Sequence, residues 1–109
     1  MPGSPYRIMW LVVMFDLPTG TKAERKAYQA FHKFLLKDGF MQMQYSIYIR
    51  SCASPENAEA HLGRIQARVP QEGEVRILEL TDKQFGRMHV FQGKMRKEPE
   101  KGMTQLELF

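Results

Sequence analysis

The stretch Met9-Trp10-Leu11-Val12-Val13-Met14-Phe15-Asp16-Leu17-Pro18 decides the fold. Its seven consecutive apolar residues leave no polar face, which predicts a central strand with both sides covered. The run ends at an aspartate with a proline two residues later, so Asp16 falls where the strand leaves the sheet.

Downstream, Thr21-Lys22-Ala23-Glu24 has the Thr-x-x-Glu form of a capping box, and Gly39 sits where a left-handed helix cap belongs. A helix is predicted between them. On it Ala27, Tyr28, Phe31, Phe34 and Leu35 gather on one side, while Lys22, Lys26, Gln29, Lys33 and Lys37 fall within about 80° on the other. The stretch from Phe40 to Arg50 then alternates: Met41, Met43, Tyr45, Ile47 and Ile49 point one way, and Gln42, Gln44, Ser46, Tyr48 and Arg50 the other. This predicts a strand with two different faces and a methionine-rich core side.

Ser54-Pro55-Glu56 reads as a helix cap with proline at the first helical position. The apolar stripe Ala58, Leu62, Ile65 and Val69 predicts a second helix ending by Pro70. Glu74 to Leu80 predicts a third strand and Phe85 to Phe91 a fourth. Residues 1–91 thus form one domain. Residues 92–109 are a charged, turn-prone linker closing in Thr104-Gln105-Leu106-Glu107-Leu108-Phe109, which alternates like a strand and is expected to pair with a sheet edge, its own or a partner's.

The order is βαββαβ if the stretch from Phe40 to Arg50 bends, and βαβαβ with an extra strand if it does not. Two helices on one face of an antiparallel sheet is the economical α+β arrangement, the ferredoxin-like fold. It leaves the other sheet face bare although the first strand is apolar on both sides. A second copy of the same sheet, packed face to face in a homodimer, is the simplest cover.

With 109 residues there is room for one core and no second catalytic domain. An apolar share of 43% and a charged share of 26% exclude disordered and fibrous classes. No apolar run approaches the ~18 residues of a membrane span, and the N-terminus lacks a secretory pattern, so a cytoplasmic location is expected. The single Cys52 has no internal disulfide partner and reads as a plain small side chain. A formal charge of +4 favours an anionic partner.

Asp16 is the one chemically pointed residue. It reads either as a ligand for Mg²⁺ or Mn²⁺, which prefer carboxylate oxygen, or as a turn aspartate accepting from the amides of Thr19, Gly20 and Thr21. One carboxylate makes a poor metal site, and neither a His-Glu-x-x-His nor a paired-cysteine motif assists it. Two copies across a two-fold axis would provide a pair. The basic stripe, with Arg25 beside it, suits phosphates at helical spacing. His32, His61 and His89 are scattered over separate elements and read as packing or solvent-facing residues.

Val13-Met14-Phe15-Asp16-Leu17-Pro18, the Lys22 to Lys37 helix, Met43-Gln44-Tyr45-Ser46-Ile47-Tyr48 and Lys83-Gln84-Phe85-Gly86-Arg87 together resemble the small CRISPR-associated endonuclease family found with the CRISPR integrase. The Thr-Lys-x-Glu-Arg-Lys helix start and the Phe-Gly-Arg-Met-His stretch look most like members from type II systems. The resemblance implies a ferredoxin-like protomer, a face-to-face homodimer, and one Mg²⁺ or Mn²⁺ per dimer between the two Asp16 copies, making Asp16 the metal ligand and catalytic residue. It implies two roles: a spacer-acquisition subunit that bridges integrase dimers and holds the incoming DNA duplex, or a metal-dependent endonuclease on single-stranded RNA or double-stranded DNA. Lys22, Arg25, Lys26 and Lys33 are the expected nucleic-acid contacts, Arg25 matching a basic position of the family's first helix. Ser46 and Tyr48 are expected to support the site or the dimer interface. Gln42 stands where several members carry arginine, a departure that favours the bridging role over cutting.

Overall fold

The structure, a computed structural model, describes residues 7–102. The strand β1 (Met9–Asp16) lies inside a four-stranded sheet of order β2-β3-β1-β4, formed with β2 (Met41–Gln44), β3 (Ile47–Cys52) and β4 (Glu74–Thr81). Every pairing in it is antiparallel. The helices α1 (Lys22–Lys37) and α2 (Pro55–Gln66) complete a βαββαβ order.

The doubly apolar β1 does what its sequence requires. Met9, Leu11, Val13 and Phe15 enter a core with Phe31 and Leu35 of α1 and Ala58 and Ile65 of α2. Trp10 and Val12 point the other way, into a second cluster with Ile49 and Phe85. Both faces of the strand are therefore out of water, at roughly 1.5–3 kcal/mol for each large side chain buried.

The predicted caps of α1 are present. Thr21 Oγ1 accepts from the Glu24 amide at 3.1 Å, and Glu24 Oε1 accepts from the Thr21 amide at 2.9 Å. Past the C-terminus Gly39 takes φ +89°, a conformation that favours glycine, and a Cβ there would push aside the Arg50 guanidinium, whose Nη1 would lie 1.8 Å away. Phe31 and Leu35 are buried, Tyr28 and Phe34 pack against the core, and Ala27 remains exposed. Ser54 caps α2 through the Asn57 amide at 3.0 Å. That helix ends at Gln66, short of the predicted boundary, leaving Val69 exposed, and the inward position Leu62 shares with a histidine: His61 is 4% exposed.

The bend within Phe40 to Arg50 is present, and two readings of that stretch are corrected. The stretch from Phe40 to Arg50 is a hairpin, with a turn at Tyr45-Ser46 and a register shift between Gln42 and Gln44. No glycine, proline or Asx residue marks this turn, so the alternation ran through it unbroken. Tyr48, assigned to a polar face, is 1% exposed beside Ile49 at 0%, because β3 is an interior strand covered on both sides. Met41, assigned to the core, is 52% exposed on the edge strand β2.

The predicted fourth strand from Phe85 to Phe91 begins instead as a short helix, α3 (Asp82–Gly86), capped by Thr81 and Gln84 in a second capping box. Phe85 stacks on Trp10 at 3.9 Å, and Trp10 Nε1 donates to Asp82 Oδ1 at 2.7 Å. This helix covers one end of the open sheet face. Toward the Asp16 end Leu78 and Met41 stay exposed. A hairpin follows, β5 (Val90–Gln92) with β6 (Met95–Lys97), placing a strand inside the expected linker. The expected terminal strand, Thr104 to Phe109, lies outside the described residues. Among the described residues no helix is long and apolar enough to cross a membrane.

Candidate functional site

Alternation along β1 sends Asp16 to the open face with Trp10, Val12 and Met14. Its backbone is held from two sides. The Phe15 amide donates to the Ser46 carbonyl at 3.1 Å, and Gly73, at φ +92°, brings the loop after α2 so close that a Cβ would lie 2.7 Å from the Asp16 carbonyl. The side chain is exposed and makes no hydrogen bond to another described residue. The turn reading is thereby replaced: Glu24 receives the Thr21 amide, and Arg25 Nη1 donates to the Thr19 and Gly20 carbonyls at 3.2 and 3.3 Å. Asp16 is left available.

Opposite Asp16 in the β1–β4 register stands Glu74, a second carboxylate that the sequence reading missed. Arg76 Nε donates to Glu74 Oε1 at 2.7 Å, and this hydrogen bond and charge hold the Glu74 carboxyl below its ordinary range. Asp16, Glu74, Arg76, Ser46 and Tyr45 line one open concavity of about 510 Å³. Ser46 lines the same concavity as Asp16, while Tyr48 does not. Tyr48 packs on Phe15 at 5.5 Å on the helix side, its hydroxyl hydrogen-bonded to His32 Nδ1. Burial pushes the Tyr48 phenol up, with the nearby Tyr28 and Tyr45 adding to the effect.

The donor chemistry here suits a hard cation, since carboxylate and hydroxyl oxygens meet at an open site. The number falls short in one protomer. Among the described residues no three of His, Cys, Asp and Glu converge. The histidines take separate partners: His32 with Tyr48, His61 with Asp38, and His89 with Arg96. Cys52 is fully buried, and desolvation pushes its thiol up, as expected of a packing residue.

Lys22, Arg25, Lys26 and Lys33 are all exposed on α1. They do not act as one set. Arg25 is tied to the loop carbonyls, whereas Lys33, one turn before Lys37, faces a recess shared with Arg64 and Arg68 beyond the end of α2. Arg64 and Arg68 were not assigned to binding from sequence, because only packing of the helices brings them beside Lys33 and Lys37.

The description "CRISPR associated protein Cas2" belongs to the family model that matches residues 9–88, from the first residue of β1 past α3. The chain belongs to the Cas2 family. A protein named "CRISPR-associated endoribonuclease Cas2" from Parvibaculum lavamentivorans is 56% identical over 93% of this chain and all of its own length. One of the same name from Flavobacterium psychrophilum is 53% identical over 95% of this chain and 90% of its own. In fold, the chain is similar to a solved structure titled "Crystal structure of cas2", with a TM-score of 0.55 at 22% identity over 89% of this chain and 99% of the other. The Cas2 match takes in Asp16, Ser46, Glu74 and Arg76, so the whole concavity lies within the family's span. Gln42 acts locally: its Nε2 donates to the Tyr45 carbonyl at 2.9 Å and pins the turn beside Ser46.

Proposed function

We propose that this Cas2-family chain is a cytoplasmic spacer-acquisition subunit, a ferredoxin-like protomer that dimerises through its open sheet face, bridges CRISPR integrase dimers and holds the incoming DNA duplex. The observation that carries this reading is the separation of charge. The helix layer presents Lys22, Lys26, Lys33 and Lys37 to solvent, whereas the open face carries Asp16 and the Glu74–Arg76 pair at one end and exposed Leu78 and Met41 level with Val12. Packing two open faces together would bury the apolar patches and leave the basic layers outward for phosphates. The helix-start and Phe85 to His89 stretches support a place among members accompanying type II systems. The test is reconstitution with a CRISPR integrase and a short duplex: co-elution of all three is expected, and an integrase that elutes alone contradicts the bridging role.

A second reading has its own support in the unengaged Asp16 carboxylate and the names of the relatives. Here Asp16 of both protomers would hold one Mg²⁺ or Mn²⁺, which when bound supplies an activated water and neutralises charge on the phosphodiester. Ser46 and Arg76 line the same concavity, and Arg76 would orient the phosphate. Metal-dependent cleavage of single-stranded RNA or double-stranded DNA by the parent, undiminished in Asp16→Asn, would remove Asp16 from that chemistry.

A further inference from the structure

The seam between α1 and α2 is a recess of about 500 Å³ on the helix layer, away from the Asp16 concavity. Lys33 and Lys37 line one wall, and Arg64 and Arg68 the other. Lys33 and Lys37 are one helical turn apart, ~6 Å along α1, while Arg64 sits in the last turn of α2 and Arg68 just past its end. The one carboxylate there, Asp38, is already engaged, by His61 Nδ1 at 2.7 Å and Arg64 Nη1 at 2.9 Å. Lys33, Lys37 and Arg68 form no ion pair with another described residue, and Arg64 keeps 59% of its side chain exposed despite its bond to Asp38. Arg68 is held in place by stacking over the Phe34 ring at 5.3 Å.

We infer that this recess is a phosphate-backbone clamp, a second nucleic-acid contact distinct from the loop end of α1 at Lys22, Arg25 and Lys26. Cations on both walls of one recess suit a chain of closely spaced negative charges, and a guanidinium reaches phosphate through paired donors. The ring that could stack on a base, Phe34, is covered by Arg68, so the clamp reads backbone and not sequence. The inference rests on the proposal that the chain handles nucleic acid, and it locates where the charge acts.

The experiment is anisotropy of a short labelled DNA duplex with the full chain between about 50 and 200 mM salt. Lys33→Gln/Lys37→Gln/Arg68→Gln should flatten the slope of log affinity against log salt by about 2 to 3, and the Lys33→Gln/Lys37→Gln pair, which touches no packing, by about 2. Both should do so equally on duplexes of unrelated sequence. A steep parent slope that neither variant changes, but that Lys22→Gln/Arg25→Gln/Lys26→Gln flattens, overturns the clamp and leaves the nucleic-acid reading standing. A parent with no salt-dependent duplex binding overturns both.

Discussion

Asp16 stands directly across from Glu74 in the β1–β4 ladder, two carboxylates at the exit of the central strand of which, among the described residues, only Glu74 has a cation to hold it. Like charges set opposite each other on a sheet are unfavourable, and Arg76 relieves that here for one of the two. Asp16→Asn should therefore leave stability within about 0.5 kcal/mol of the parent, because it removes no bonded group from an exposed position. Metal-dependent cleavage, where the parent has it, should fall by about 100-fold or more. Urea melts beside a nuclease assay with and without chelator check both halves.

Asp38 is a different kind of aspartate. Burial alone would raise its carboxyl, but hydrogen bonds from His61 and Arg64, with their charges, hold it below its ordinary value. A group with a depressed folded-state pKa stabilises the fold above its unfolded value, near 4, and that contribution is lost as pH falls through the lower folded value. Urea midpoints measured between about pH 5 and 2 should fall across this window, and less steeply in Asp38→Asn. Asp38→Ala should cost about 1–3 kcal/mol at neutral pH, since it leaves the buried His61 Nδ1 without its hydrogen-bond partner.

How much of this was legible beforehand follows from where the cause lies. The β1 run, the Thr21-Glu24 box, Gly39 and the Ser54-Pro55 cap act within a few residues, and each is where local chemistry put it. The β2–β3 bend could be offered only as an alternative because no glycine, proline or Asx residue marks it; Gln42 pins it through a side-chain bond that spacing does not reveal. The α3 box, Thr81 with Gln84, was a readable signal overridden by the apolar pattern of the residues after it. Asp16 was found because it ends a conspicuous run. Glu74, Arg76, Arg64 and Arg68 were not, because strand register and helix packing alone bring them to their sites.

The α3 cover on the open face is testable through Phe85. Its ring is 1% exposed and lies nearly parallel to Trp10, at 7°. Phe85→Ala should destabilise the chain by about 3–5 kcal/mol, with the Trp10 fluorescence shifting red as water reaches the indole. Phe85→Leu should recover more than half of that loss in denaturant melts.

Gly39→Ala tests the turn that joins α1 to the hairpin. The left-handed backbone costs a non-glycine residue about 1–2 kcal/mol, and the added methyl displaces Arg50, whose Nη1 donates to the Asp38 carbonyl at 2.9 Å. A loss of about 2 kcal/mol or more in thermal or urea unfolding is expected, with native-like circular dichroism retained.

On the proposed function, the basic helix layer, and not the chemistry of Asp16, carries this chain's role. Spacer acquisition in cells, scored by new repeat units in the array, separates the two most directly when Asp16→Ala is run beside a Lys22→Glu/Arg25→Glu/Lys26→Glu/Lys33→Glu variant. Acquisition retained in Asp16→Ala and lost in the charge-reversed chain is the predicted result. Acquisition abolished by Asp16→Ala and retained by the charge reversal would contradict it.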